Sequence, residues 1–423
     1  MSDILNKYLV GCFDKETPTS LYIHIPFCLS KCAYCGFYSV SENKLCSEDV
    51  KLYFERLIKE ARALRVYFKK PFETIYIGGG TPLLSRNFPY LSELLEVLDT
   101  KHSKEVTIEA NAFNIDDKTR DLVKKYCTRI SLGVQSFDKN ALQKMGRFST
   151  TLDECKKILT FFDDLNVNFD FIATPFENDI VKTSLMPLFD MCEKNNVKLP
   201  EHLSLYLLTL EEGTALYKRM KESDRNDDKE AKTLLKAWHF LEEMGYVHYE
   251  VSAFARRRKN TILKSFDTKS EQNIKDAPLY ISLHNSRYWA LENYIGIGST
   301  ASSHSTKGFD ITNNMDYKTY AFGKPFEGYD IEKLSKEAIA DELILTHLRT
   351  IYGISKEKFE TLTSYSFENT IKKASRNCEK IHDFDPRELR IQHFYNNGVL
   401  SLPSDEFLFS DFYINLLSVS LSP

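Results

Sequence analysis

The chain has 423 residues, with 56 basic and 60 acidic side chains and a formal net charge of −4. That balance gives no electrostatic case for nucleic acid, and 27% charged against 42% hydrophobic residues describes a folded chain with a substantial core. No stretch approaches the roughly 18 apolar residues of a membrane span, and the start, with Asp3 and Lys7 and no apolar run, does not read as a signal peptide. A cytoplasmic protein without a transmembrane segment is the expectation.

A short N-terminal segment, residues 1–19, precedes a run of alternating elements across residues 20–255. Six β-rich stretches recur there: Leu21–Ile25, Thr74–Ile77, Val106–Glu109, Ile130–Gly133, Phe169–Ala173 and Leu203–Leu208. Most are followed by helical periodicity, as in Glu48–Phe68, Tyr90–Leu98, Asp116–Tyr126 and Leu152–Leu165. In the last of these Ile158, Phe161, Phe162 and Leu165 fall on one stripe. Strands alternating with helices imply repeated βα units and a parallel sheet, hence an α/β fold. Six units are too few to close an eight-stranded barrel, so an open, crescent-like partial barrel is expected, with its chemistry at the C-terminal ends of the strands.

Asp227–Gly245 returns to helix and Tyr246–Val251 reads as a strand. Residues 256–280, centred on the polar run Arg256–Pro278, carry no apolar period and read as an exposed insertion. Residues 281–333 hold an aromatic segment and a connection. From 334 to 423 Ile339, Leu343, Leu345 and Leu348 set a helical rhythm, with short β-like runs after Phe394, so a mostly helical C-terminal domain is expected.

Three of the nine cysteines lie within eight residues, in Cys28-Leu-Ser-Lys-Cys32-Ala-Tyr-Cys35. Such a spacing lets three thiolates on one loop reach three corners of a [4Fe–4S] cube and leaves one iron without a protein ligand. S-adenosylmethionine can fill that position through its amino and carboxylate groups, and an electron from the cluster then cleaves its sulfonium bond. The rival is a Cys3His zinc site using His24, but no second C-x2-C knuckle accompanies it. Cys12, Cys46, Cys127, Cys155, Cys192 and Cys378 are scattered and read as ordinary thiols.

Polar residues at the other strand ends fit the same ligand. Gly78-Gly79-Gly80-Thr81-Pro82 follows the second strand, where glycines let backbone approach a ligand closely. Glu109 and Gln135 end the third and fourth strands, Arg147 follows, and Asp170 lies in the fifth. Each alone reads first as a satisfied rim residue. Together they offer carboxylates for ribose hydroxyls and an amine, and a guanidinium for a carboxylate.

Tyr22-Ile-His-Ile-Pro-Phe-Cys28, Tyr34-Cys35-Gly-Phe37, Gly78–Pro82, Gly133-Val-Gln-Ser136 and Arg147 together resemble the oxygen-independent coproporphyrinogen III oxidases and their relatives, which are radical S-adenosylmethionine proteins. The resemblance runs from about residue 20 into the C-terminal region. It implies a partial (β/α)6 barrel with a C-terminal mostly helical domain, and S-adenosylmethionine contacts at Tyr22, Tyr34, Gly79, Gly80, Thr81, Glu109, Gln135, Arg147 and Asp170. Two features resemble the heme chaperone HemW branch: Phe37 stands where the oxidases have a fourth cysteine, and only about twenty residues precede the first strand. The segment His284-Asn285-Ser-Arg-Tyr288-Trp289 and the following Tyr294-Ile-Gly-Ile-Gly298 resemble it too. Ser282 replaces a cysteine many members carry, Thr174-Pro175-Phe176 replaces a Gly-Leu-Pro, and the 256–280 insertion is longer than usual.

That branch implies heme as a third ligand, passed to an acceptor protein, with His284 a candidate proximal heme ligand and Tyr288 and Trp289 offering flat apolar surface. A packed, hydrogen-bonded histidine is the alternative for His284. The resemblance also implies a reductant such as flavodoxin or ferredoxin, and a homodimer is among the expectations. The competing activity is radical decarboxylation of porphyrinogen propionates, which the branch features disfavour.

Overall fold

The computed structural model describes residues 6–220, 225–257, 279–378 and 391–422. Its centre is a twelve-stranded sheet. In chain order the strands are β1 (Ser20–Ile25), β2 (Thr74–Gly79), β3 (Glu105–Asn111), β4 (Arg129–Gln135), β5 (Asn166–Ala173) and β6 (His202–Leu207). These are followed by β7 (Tyr246–Glu250), β8 (Ala253–Arg256), β9 (Tyr294–Ile297), β10 (Ser302–Ser305), β11 (Phe309–Asn313) and β12 (Tyr329–Lys333). The spatial order is β12-β11-β10-β9-β1-β2-β3-β4-β5-β6-β8-β7. All six expected strands are present and pair in parallel, each beside its predecessor.

The linking helices cover the outer face: α1 (Ser47–Tyr67), α2 (Phe88–Leu98), α3 (Asp117–Tyr126), α4 (Leu152–Phe161) and α5 (Met186–Lys194). Local chemistry starts several of them. Asp116 accepts from the Thr119 amide at the head of α3, and Thr151 and Glu154 form a reciprocal capping box at the head of α4. α4 stops at Phe161, short of Leu165, yet Ile158 and Phe162 are fully buried and Phe161 and Leu165 pack against the same core. The helix α6 (Asp227–Glu243) leads into β7 as expected.

The sheet runs past the six expected strands on both sides. β9 pairs in parallel with β1, and β10, β11 and β12 continue antiparallel from it. The opposite side is extended by antiparallel β8 and β7. Thus residues 294–333, read as a connection, supply four strands. They are four or five residues long, too short for periodicity to reveal. Most of the predicted insertion, residues 258–278, lies outside the described residues, while its flanks Arg257 and Leu279 form an antiparallel bridge.

A helix between those strand sets, α7 (Leu283–Trp289), crosses the other end of the sheet. After β12 come α8 (Lys336–His347), α9 (Lys356–Thr363), α10 (Phe367–Cys378) and α11 (Ser410–Ser418), with a small three-stranded sheet. This is the expected helical C-terminal region with a little strand.

Candidate functional site: the strand ends around the cysteine loop

β3 shows how the sequence builds the interior. In Glu105-Val-Thr-Ile-Glu-Ala-Asn111 the apolar residues alternate with polar ones, so Glu105, Thr107, Glu109 and Asn111 share one face. Val106, Ile108 and Ala110 are buried in the core on the opposite face, so the polar set lines the inside of the crescent.

The cysteine loop leaves the C-terminal end of β1 and is held by backbone bonds. Gly80 donates to the Ile25 carbonyl, Thr81 to Phe27, Ala33 to Met145 and Leu216 to Ala33, all at 2.8–2.9 Å. The glycine run lets β2 come this close. A Cβ on Gly80 would stand 2.7 Å from the Phe27 oxygen, and one on Gly79, with φ of +110°, would sit 2.5 Å from the His24 ring.

Cys28, Cys32 and Cys35 are unpaired thiols on this loop, each partly exposed. Burial raises the Cys28 and Cys35 thiol pKa values, and hydrogen bonds from Thr81 to Cys28 and from the Phe37 amide to Cys35 counter it. Arg147 Nη1 donates to Cys32 Sγ at 3.5 Å. His24 is not a fourth ligand. Its Nε2 meets the Tyr38 carbonyl at 3.0 Å and must donate, so Nδ1 accepts from the Tyr22 hydroxyl at 2.9 Å. With both nitrogens used, the Cys3His zinc alternative loses its histidine.

Around the loop the predicted residues converge. Arg147 Nη2 donates to Asn111 Oδ1 and to the Gly133 carbonyl, both at 2.6 Å, while Asn111 Nδ2 donates to Thr81 Oγ1 at 2.9 Å. Glu109 accepts from the Tyr76 hydroxyl at 2.8 Å and the Gly79 amide at 3.0 Å. Asp170 accepts from Asn168 at 2.7 Å and Ser131 at 3.2 Å, and burial raises its pKa. Tyr34 is partly buried beside Arg147 and Cys32, and burial raises its pKa, with Arg147 pulling the other way. Gln135 is held at φ of +70°, a conformation uncommon for any residue but glycine.

Two buried polar atoms here have no partner: Gln135 Oε1 and Arg147 Nε. Unsatisfied buried groups are costly, and an acceptor and a donor beside three thiols and two carboxylates suit a polar, zwitterionic ligand on a cluster. The residues therefore fit a [4Fe–4S] cluster and S-adenosylmethionine. Asn111 was missed in the sequence, although its place two residues after Glu109 puts it on the same strand face.

Burial pushes the Glu109 carboxyl from 4.5 up to about 7, the hydrogen bonds from Tyr76 and Gly79 opposing it. Between those values the folded chain holds a proton the unfolded chain has lost. The group's contribution is thus full below about 4.5 and is lost as pH rises through about 7, at most about 3 kcal/mol. Denaturant titrations of ligand-free protein across that range are expected to show stability falling with pH, and Glu109→Gln is expected to remove that slope. An unchanged slope in the variant would assign the proton elsewhere.

His284 does not join this site. Glu105, at the N-terminal end of β3, accepts from the amides of Leu283 (2.9 Å) and His284 (3.0 Å), so a buried carboxylate sits at the positive end of α7. Ser282, in place of the relatives' cysteine, is the N-cap, accepting from the Asn285 amide. Thr74, the first residue of β2, donates its hydroxyl proton to Ser20, so it accepts from His284 Nδ1 at 2.7 Å. Tyr288 then donates to Nε2 at 2.6 Å. The ring is fully buried, lies tilted over Tyr76, and burial holds it neutral with a pKa near about 3.

Both ring nitrogens are thus engaged, which is the arrangement of the packed, hydrogen-bonded histidine rather than of an open heme ligand. Trp289 is likewise engaged, donating to Glu250 at 2.8 Å. The helix plugs the N-terminal ends of the strands, about 20 Å of strand away from the cysteine loop.

Comparison with known proteins agrees with this fold. A model of the radical SAM superfamily matches residues 22–180. The heme chaperone HemW of Lactococcus lactis is 31% identical over 367 residues, covering 84% of this chain and 87% of that protein. The heme chaperone HemW of Buchnera aphidicola from Schizaphis graminum is 32% identical over 378 residues, covering 86% and 92%. Among solved structures, coproporphyrinogen III oxidase (HemN) from Escherichia coli, a radical SAM enzyme, superposes with a TM-score of 0.70 at 17% identity, covering 96% of this chain and 91% of that one. That last likeness concerns the fold alone. The chain belongs to the HemW family of radical SAM proteins, and membership of that superfamily implies a [4Fe–4S] cluster and S-adenosylmethionine.

Proposed function

We propose that this protein is a heme chaperone: it carries a [4Fe–4S] cluster on Cys28, Cys32 and Cys35, binds S-adenosylmethionine and heme, and passes heme to an acceptor protein. The observation that carries the cluster half is three unpaired thiols on one loop, met at Cys32 by Arg147, with the buried Arg147 Nε and Gln135 Oε1 left partnerless. When bound, S-adenosylmethionine supplies a source of a carbon-centred radical, delivered by one electron from the cluster. A flavodoxin- or ferredoxin-like reductant is the chemistry such an electron requires.

The chain's own residues place that ligand. Arg147 meets its carboxylate, Glu109 and Asp170 take its amine and ribose hydroxyls, and the Gly79, Gly80 and Thr81 backbone runs alongside it. Tyr22, Tyr34 and Gln135 close the walls. Of the carboxylates, Glu109 has its two oxygens singly occupied and thus retains acceptor capacity.

The heme half is supported by the likeness to the curated HemW chaperones. Phe37, at the oxidases' fourth-cysteine position, is 73% exposed and replaces a thiol with apolar surface beside the cluster loop. The test is a heme titration of anaerobically reconstituted protein, run beside an assay with coproporphyrinogen III and S-adenosylmethionine. About one heme per chain and no decarboxylated product are the expected results. Decarboxylation with consumption of S-adenosylmethionine would replace this reading by the oxidase.

A further inference from the structure

Far from the cysteine loop, three side chains from three elements converge at the junction of the sheet and the C-terminal helices. His304 on β10 stands directly across from Asp310 on β11, and Nδ1 lies 2.8 Å from Asp310 Oδ1. Glu342, from α8, brings Oε2 to 3.7 Å from the same nitrogen. All three ligand atoms fall within 4.8 Å of one another. The His304 side chain is only 7% exposed, and its ring stacks on Tyr294 of β9, which fixes its direction into the carboxylates.

Two further features mark the arrangement as incomplete. Glu342 Oε2 is sealed from solvent and receives no hydrogen bond. Neither Asp310 nor Glu342 has a lysine or arginine ion pair among the described residues; the basic side chain both contact there is His304. Two ionised carboxylates facing one another repel unless a proton or a metal ion stands between them.

We propose that His304, Asp310 and Glu342 form a site for one divalent transition-metal ion of the manganese or zinc class, which clamps α8 onto the β10–β11 strand pair. Imidazole nitrogen with two carboxylate oxygens suits these ions, bonded at about 2.0–2.2 Å. Ligand atoms around such an ion stand about 3–3.5 Å apart, and the two separations from His304 Nδ1, 2.8 and 3.7 Å, bracket that value. The remaining positions go to water, since Asp310 and Glu342 are partly exposed. The role is structural: the ion joins residues of the sheet to the first helix of the C-terminal region.

The test uses the reconstituted holoprotein, in which the cysteine thiolates are already occupied. Mn(II) is titrated and the loss of its free-ion EPR signal followed. One ion per chain is expected to bind, and His304→Ala and Glu342→Gln are each expected to weaken it by at least about tenfold. Mn(II) should also raise the thermal midpoint of the unaltered protein and not of either variant. Asp405→Asn, in the more exposed His239–Glu242–Asp405 group, serves as the control and should bind as the unaltered protein does. Should Glu342→Gln unfold, the near-isosteric Asp310→Asn carries the same expectation. Absence of Mn(II) binding, or binding that survives both His304→Ala and Glu342→Gln, overturns the site and leaves the trio as a proton-sharing contact.

Discussion

Alanine at any one of Cys28, Cys32 or Cys35 is expected to abolish the broad visible absorbance of the reconstituted protein and its content of about four irons and four sulfides per chain. The effect should be all-or-none, because a cube held by three thiolates has no spare protein ligand. In the metal-free chain burial keeps the Cys28 and Cys35 thiols protonated. Iron reverses this, since a coordinating thiol is deprotonated outright, so the loop is built for a cation rather than for reactive thiolates. Loss of the cluster should also remove S-adenosylmethionine binding, while leaving the far-UV spectrum of the barrel intact. Cys127→Ala is the contrasting variant. That thiol is buried in the apolar core with a pKa pushed up to about 12, and its loss should cost some stability and no iron. Stoichiometric zinc without iron after anaerobic purification would refute the cluster, although the zinc alternative has lost His24 to Tyr22 and Tyr38.

How much of this was legible in the sequence depended on the length of the signal. The six parallel strands could be read because most of the β-rich runs are followed by a helix with an apolar stripe. β9 to β12 could not, being short strands that gain their place by continuing an existing edge. The cysteine spacing and the glycine run were legible because few other arrangements of those residues have a use. Glu109 was found and Asn111 missed only because the strand was ended too early. The strand was also begun one residue late, which hid Glu105, whose place at the start of β3 puts one end of the polar face under α7 and the other beside the cysteine loop. The His304–Asp310–Glu342 group was beyond sequence reasoning, since nothing in the spacing says that α8 returns to β10.

His284 is the residue whose two readings the hydrogen bonds weigh, and its replacement gives the second large expected effect. A histidine near asparagine and two aromatics has the composition of a heme ligand and equally that of a buried tie, and residue types cannot separate the two. The hydrogen-bond inventory can. Thr74 has one hydroxyl proton and gives it to Ser20, so it must accept from Nδ1; Tyr288 then fills the lone pair on Nε2. His284→Ala should leave the Thr74 and Tyr288 hydroxyls short of a partner and open a cavity beneath Tyr76, at a cost on the order of 3–5 kcal/mol. Denaturant unfolding of apoprotein should show that loss, with His284→Gln recovering part of it through one retained hydrogen bond. Heme titration of whatever folds should give the same affinity and the same Soret band as the unaltered protein. A shifted Soret band with undiminished stability would be the opposite pattern. It would mean that the ring leaves Thr74 and Tyr288 to reach iron, and that α7 is a heme-bearing element and not a plug.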